Sequence, residues 1–289
     1  MIWVNAVIQG VLLGGLYALF ATGLSIGFGV MRLVNLAHGD LSILAAFVAF
    51  SLADALSINP LVALVLILPG AFVVGFVLQR LVFDHVVGVD PAYQIVATFG
   101  LSIVIQNALL AKYTADSRGL RIGRLATSSI HVNDKIGIGW LPLLTFLCGV
   151  AVLGALALFL NRTGMGRAFR ATSDDPEAAQ LMGVDNRRVY AVASAIALAT
   201  VALAGVLLGA RTSFDPFTGP VRLIYAFEAV IIGGLGSLWG TLAGGVTLGV
   251  AQLIGKQIST AWGDLVGHVV FLAVLATRPT GMFGKVEAR

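Results

Sequence analysis

Charge is scarce in this chain. Only 11% of its 289 residues are Asp, Glu, Lys or Arg, against roughly 25% in an ordinary soluble domain. So few polar groups cannot cover a water-facing surface, which excludes a soluble enzyme and a disordered protein alike. Cysteine is almost absent: Cys148 stands alone in an apolar run, which excludes an intramolecular disulfide framework and a cysteine metal cluster. The four histidines, His38, His85, His131 and His268, lie far apart with no ligand spacing, so no metal site is expected. The phosphate-cradling pattern G-x-x-x-x-G-K-[ST] is missing, so no nucleotide hydrolysis is expected of this chain. Neither paired carboxylates nor a nucleophile–base arrangement points to an enzyme. No Lys or Arg precedes Arg32, and the first apolar run is far longer than the core of a leader, so no cleavable signal is expected.

What is abundant is apolar. Hydrophobic residues make up 58% of the chain, and the mean hydropathy is +0.96. Thirty-five glycines, where an average composition of roughly 7% would supply about 20, suit packed transmembrane helices. Apolar runs fall near 4–30, 37–56, 60–82, 92–111, 140–160, 189–210, 222–236, 240–256 and 264–278. A helix needs about 20 apolar residues to cross a bilayer. The pattern therefore predicts an all-α polytopic bundle, one transmembrane domain over 1–289 with about eight or nine spans. The run at 222–236 is too short to cross comfortably and reads as a re-entrant or broken helix, tolerated where it is buried in protein or lines a cavity. Long runs without strand-length alternation argue against a β-barrel.

Three hydrophilic stretches interrupt the runs: 112–139, with Lys112, Asp116, Arg118, Arg121, Arg124, Asp134 and Lys135; 161–188, with five arginines and four acids; and the turn-rich 211–222. With the N-terminus outside and the 222–236 run counted as a crossing, the inner loops hold Arg32, Arg80, the five arginines of 161–188, Arg278, Lys285 and Arg289. That is ten basic residues of eighteen, too even a split to fix orientation.

Glycines recur at four-residue spacing: Gly10 and Gly14, Gly23 and Gly27, Gly236, Gly240 and Gly244, and Gly245 and Gly249. On a helix such pairs share a face and let two backbones approach closely, so dense helix packing is expected. Gly233-Gly234-Leu235-Gly236 also fits an unwound hinge beside a pathway.

The stretch 161–188 carries the strongest local signal. Asp175 is a good N-cap, Pro176 suits the first helical position, Glu177 complements the positive helix end, and Gly183 supplies a left-handed stop. The expected product is a helix over 176–182 with Ala178, Leu181 and Met182 on one face. Two turns of helix are marginal alone in water and need a surface to lean on. A capped connector between two spans accounts for the pattern equally well.

Glu177-Ala178-Ala179 followed by Gly183 resembles the E-A-A-x-x-x-G core of the cytoplasmic coupling loop in ABC-transporter permeases. Met31-Arg32-Leu33-Val34-Asn35-Leu36-Ala37-His38-Gly39-Asp40 resembles the NxAHG[ED] segment of the LivH-type branched-chain amino acid permeases. So do Gly166-Arg167-Ala168-Phe169-Arg170-Ala171, Val230 to Ser237 and Arg278-Pro279-Thr280-Gly281. These blocks run from one end of the chain to the other in the family's order. Where other importer families continue into I-x-L-P, this chain has Val184-Asp185-Asn186-Arg187-Arg188-Val189-Tyr190, so only the first half of the socket interaction carries over.

The resemblance implies a bacterial inner-membrane subunit without a cofactor of its own, since ATP and Mg would be bound by partners. It implies a second homologous permease, two ATP-binding subunits and a periplasmic binding protein, with 161–188 cytoplasmic and 112–139 periplasmic. Arg167, Arg170 and the helix with Asp175, Pro176, Glu177, Ala178, Ala179, Leu181, Met182 and Gly183 would couple to the ATPase, the arginines meeting acids on it. Branched-chain amino acids are the implied cargo, with urea, amides and aromatic acids open within the family.

Asn35, His38, Asp40, Gln106, Asn107 and Glu228 are polar groups in apolar surroundings. An ionisable group at a helix centre costs at least about 2.5 kcal/mol, so such groups face protein or water. One reading lines a zwitterion's route with them. Another makes Asn35, His38 and Asp40 an interfacial turn, with Asp40 capping the next helix, and places Glu228 at an interface. The rival function is a stand-alone ion-coupled transporter or channel using Asp40 and Glu228.

Overall fold

The computed structural model describes residues 2–133 and 136–283. Asp134, Lys135, Lys285 and Arg289, counted among the loop charges above, lie outside the described residues. Among the described residues, seven helices are long and apolar enough to cross a membrane: α1 (Ile2–Met31), α2 (His38–Leu56), α3 (Pro60–Leu81), α4 (Pro91–Tyr113), α5 (Trp140–Arg162), α8 (Asn186–Arg211) and α10 (Leu238–Ile258). Two shorter apolar helices join them, α9 (Gly219–Gly233) and α11 (Trp262–Thr277). At 15 and 16 residues each is about 23 Å long, short of a 30 Å hydrocarbon core. The expected short element at 222–236 is thus present as α9, and the last run is short as well. Two small helices, α6 (Gly164–Asp174) and α7 (Pro176–Leu181), fill the 161–188 loop, and an antiparallel strand pair, β1 (Ser129–Asn133) and β2 (Ile136–Gly139), lies in the 112–139 loop. Because α5 connects β2 to α6, the two loops stand at opposite ends of the bundle.

Local chemistry sets several helix starts. Asn59 accepts a hydrogen bond from Leu61 N and Asp90 from Ala92 N, each followed by proline at the first helical position. Helices α1 and α8 are the most enclosed, while α3, α4 and α5 turn Val65, Val73, Val96, Val104 and Leu158 outward. That is the arrangement a bilayer solvent permits.

The glycine pairs explain the central crossing. A Cβ on Gly10 would lie 2.5 Å from Val250 Cα, and one on Gly14 would lie 2.7 Å from Val246 N. From α10, Gly245 and Gly249 meet Gly14 and Ala18 backbone in return. The two helices therefore touch through main chain, and dispersion rather than hydrophobicity holds them. Gly14→Leu is expected to cost at least about 3 kcal/mol, because rigid backbone cannot yield as a side chain does. A fall in the thermal midpoint of the detergent-solubilised protein measures it.

One expected stripe is not helical throughout. Gly240 and Gly244 pack against Gly233 and Ala229 of α9, but Gly236 sits in the turn between α9 and α10. Gly234 and Gly236 take φ of 101° and 78° there, in the region that only glycine enters freely. This turn is unwound, as expected. It is also fastened: Met282 N donates to Ile232 O and Phe283 N to Gly233 O.

Two helices start inside the bundle rather than at its surface. The imidazole of His38, in the first turn of α2, bonds the carbonyl of Phe20 in the middle of α1 (3.0 Å). Gly39 lies against the backbone of Gly219 and against Leu223 Cβ of α9, and Gly219 packs on the Asp40 carboxylate. Thus α2 and α9 begin beside each other, deep in the protein.

Candidate functional site

The loop end of the structure presents a small, rigid projection. Asp175 Oδ1 accepts from Glu177 N and Ala178 N, both at 3.0 Å, so the cap expected from the sequence forms. At the other end Gly183 N donates to Gln180 O (3.0 Å) and Val184 N to Ala179 O (3.0 Å). Gly183 has φ of 86°, and these two bonds make the left-handed closure that satisfies a helix's last carbonyls. Helix α7 ends at Leu181, one residue before the expected end, with Met182 as its C-cap.

Its two sides differ. Ala179 is buried against the protein, whereas Pro176, Glu177 and Ala178 are exposed, and Leu181 and Met182 stand 89% and 85% free. A single turn thus has one side chain anchoring it and an apolar face left uncovered.

The two arginines separate. Arg167 is exposed, but the Arg170 guanidinium is already engaged, donating to Leu160 O and to Asn161 Oδ1 at the end of α5. Sequence reasoning gave it a partner in another protein. The structure gives it one backbone carbonyl and one side-chain amide oxygen at a helix C-terminus, where the helix dipole attracts a cation.

From this loop a chain of contacts leads inward. The Ser173 hydroxyl of α6 bonds the carbonyl of Gly29 at the end of α1. A Cβ on Gly29 would lie 3.3 Å from Gly236 Cα. A groove between these elements is lined by Gly29, Leu160, Phe169, Ser173, Gly236 and Trp239. Helix α6 is thus linked to the α9–α10 turn through two direct contacts.

Within the bundle the polar residues singled out from the sequence fall into two groups. Asn35 forms a side-chain turn, its Oδ1 accepting from Ala37 N (3.0 Å). His38 is spent on Phe20 O. Asp40 is buried and accepts from Ser102 Oγ (2.6 Å) and Gln106 Nε2 (3.1 Å), tying α2 to α4. It is not the cap of α2, because the cap position is Ala37, which makes no side-chain bond. Nor does it lie in an interfacial turn: halfway along α4, it is surrounded by protein. Asn107 does not join this group. It points outward and donates to the Ile103 carbonyl of its own helix, as adjacent positions on a helix must diverge by 100°.

Glu228 belongs to a second group, which the sequence did not disclose. Its Oε1 pairs with His268 Nδ1 of α11, while Oε2 has no hydrogen-bond partner among the described residues. Tyr225, one turn earlier on α9, stacks on His268 (centroids 6.2 Å) and leans on Tyr17 of α1 (5.3 Å). Tyr17 donates to Gln252 Oε1 of α10 (2.5 Å). Asp264, one turn before His268 and exposed, lies beside the Tyr225 hydroxyl. Four helices thus converge on one polar cluster. Sequence spacing could not reveal it, since Tyr17 and Gln252 are 235 residues apart and Glu228 and His268 are 40 apart. The only usable signal was an ionisable residue within each of two short apolar runs.

The chain has known relatives over nearly its whole length. The family model described as branched-chain amino acid transport system, permease component, matches residues 6–275. The high-affinity branched-chain amino acid transport system permease protein BraD of Pseudomonas aeruginosa is 28% identical, with 99% of this chain and 97% of that protein aligned. LivH of Escherichia coli K12, of the same description, is 30% identical over 96% of this chain and 94% of its own length. A probable branched-chain amino acid transport permease protein LivH of Methanocaldococcus jannaschii is 26% identical over 96% and 92%. With its apolar helices, its capped loop and a family match from near its first residues to α11, the chain belongs to the family of permease components of branched-chain amino acid transport systems.

Proposed function

We propose that this chain is the transmembrane subunit through which an ABC importer moves branched-chain amino acids, or related small amino acids and amides, across the inner membrane, with ATP hydrolysed by separate subunits. Its ATP-binding and substrate-binding partners follow from the permease family. A second, homologous permease and two ATP-binding subunits complete the assembly, with the α6–α7 loop on the cytoplasmic side and the β1–β2 loop on the periplasmic side. High-affinity recognition belongs to the periplasmic binding protein, so the bundle itself carries little of the substrate's identity.

The observation that carries this reading is α7: six residues, capped at both ends, anchored by Ala179, and bare on the side of Leu181 and Met182. A helix this short has no independent stability, so an uncovered apolar face on it requires an external surface. In the assembly that surface is a groove on the ATPase, and the peg transmits its movement through Ser173, Gly29 and Gly236 toward α9. A subunit of this kind needs two alternative packings and a partner whose binding free energy differs between them.

In proteoliposomes holding the permease, ATPase and binding protein, Glu177→Lys or Gly183→Pro is expected to abolish ATP-driven uptake while the chain still inserts. Proline lacks the N–H that Gly183 donates and cannot take its positive φ. Unchanged uptake in either variant would remove the lever. Uptake driven by a proton gradient with no ATPase present would replace the importer with the stand-alone transporter, a reading to which Asp40, saturated by Ser102 and Gln106, lends no support.

A further inference from the structure

The outer surfaces of α3 and α5 are apolar, but the surface where α9 meets α11 is not. His268 is about two-fifths exposed along its side chain, and Asp264 beside it is exposed. On α11 they share one face at i, i+4, while Leu265, Val269 and Leu272 form an exposed apolar stripe on the adjacent face. The stripe suits lipid. The polar face does not, since each ionisable group turned to hydrocarbon costs at least about 2.5–3.5 kcal/mol on insertion scales.

Tyr17, midway along α1, and Gln252 of α10 abut the cluster, which runs inward from Asp264 in the first turn of α11. Within it two side chains are incompletely satisfied although almost wholly buried. Glu228 is 4% exposed and Gln252 1%, and among the described residues neither Glu228 Oε2 nor Gln252 Nε2 has a hydrogen-bond partner. Buried polar atoms in native proteins are paired with protein, water or ligand. A carboxylate with a free oxygen and a second carboxylate, Asp264 on the neighbouring helix α11, offer the acceptors that an ammonium ion requires.

We propose that Glu228, Asp264 and His268, with Tyr225, form a subsite for a primary ammonium group on the α9–α11 face of the permease, open to a water-filled route. The proposal rests on the importer reading, and it names which end of an amino acid the bundle receives. His268 holds one oxygen of Glu228 in place and leaves the other for the ligand. Arg222, in the first turns of α9, holds its guanidinium over the Tyr225 ring, 5.9 Å from its centroid, and leaves the Glu228 carboxylate to His268. The subsite therefore selects for the ammonium and leaves the side chain free, as a permease served by a separate recognition protein allows.

Ile224 is half exposed and sits one turn before Glu228, about 6 Å away on the same flank of α9. In the assembled transporter in proteoliposomes, with Cys148→Ser removing the native thiol, Ile224→Cys is treated with 2-aminoethyl methanethiosulfonate or with its sulfonatoethyl analogue. The cationic reagent is expected to react about tenfold faster than the anionic one. Glu228→Gln is expected to bring the two rates near equality, and Asp264→Asn, at an exposed position that folding does not require, to reduce the preference in part. Val65→Cys on the outer face of α3 is expected to react with neither. Equal rates in the parent, a preference unchanged by Glu228→Gln, or no reaction at residue 224 overturns the proposal. The measurement consumes no ATP, so its failure is separable from failure of ATP-driven uptake.

Discussion

Changing Leu181 and Met182 together to aspartate is expected to leave the permease folded and inserted but to reduce ATP-driven uptake at least tenfold. Both side chains stand almost fully free of the chain itself, so their removal costs the isolated subunit little. In the assembly each is expected to bury its apolar surface on the ATPase, contributing about 1.5–3 kcal/mol. Losing both takes away about 3–6 kcal/mol, a factor of at least about a hundred in docking affinity. The surface ion pair available to Arg167 is worth less than about 1 kcal/mol, so Arg167→Ala is expected to weaken docking far less. Co-purification of the ATPase with the permease, alongside uptake in proteoliposomes, measures both effects. A double aspartate variant that still retains the ATPase would show that α7 leans elsewhere.

The second large effect is structural. Gly39→Val is expected to prevent the native fold, because a Cβ there would enter the backbone carbonyl group of Gly219. The obstacle is main chain at the start of another helix, and moving it would also displace the Asp40 carboxylate that packs on Gly219 and holds Ser102 and Gln106. Overpacking against side chains costs about 1–3 kcal/mol, and the cost here is expected to exceed that range. Gly100→Val supplies the contrast. Gly100 lies on α4 with nothing within 4 Å of a Cβ, so that variant is expected to remain monodisperse in detergent with its thermal midpoint nearly unchanged. Fluorescence size-exclusion chromatography of the two variants is the direct comparison. A well-folded Gly39→Val protein would mean that the juncture of α2 and α9 is loose.

That juncture bears on function. α2 and α9 start in the interior and run apart, with the buried Asp40 carboxylate at their shared origin. Helix N-termini carry partial positive charge, so a carboxylate between two of them is favourably placed. Asn35, His38, Asp40, Ser102 and Gln106 therefore act as an internal clamp. The polar surface exposed on the outside of the bundle is the other one, on α9 and α11. The sequence contained both sets of residues but could not separate them: burial of Asp40 and exposure of His268 follow from which helices pack on which faces, and hydropathy does not encode that.

The α6–α7 loop shows the opposite situation. Asp175, Pro176 and Gly183 act within their own turn, through bonds to residues two to five positions away. Local chemistry of that kind is legible in a linear sequence, and the helix there ends one residue from its expected limit. Arg170 shows where legibility stops: its partner, the end of α5, is ten residues away, and only the reversal of the chain through Thr163 brings the two together.

Sequence by itself determined the all-α membrane class, the approximate bounds of the seven long spans though not the shortness of the 264–278 run, the shortness of the 222–236 element and the capped peg, because composition, span length and helix capping are properties of contiguous residues. Tertiary structure alone decided that Gly10 and Gly14 meet Gly245 and Gly249, that α2 and α9 begin side by side, and that Tyr17, Tyr225, Glu228, Gln252 and His268 converge. Those are contacts between helices distant in the chain, and in a bilayer they are selected by the fit of small residues and the pairing of polar groups. Neither leaves a periodic trace in one sequence.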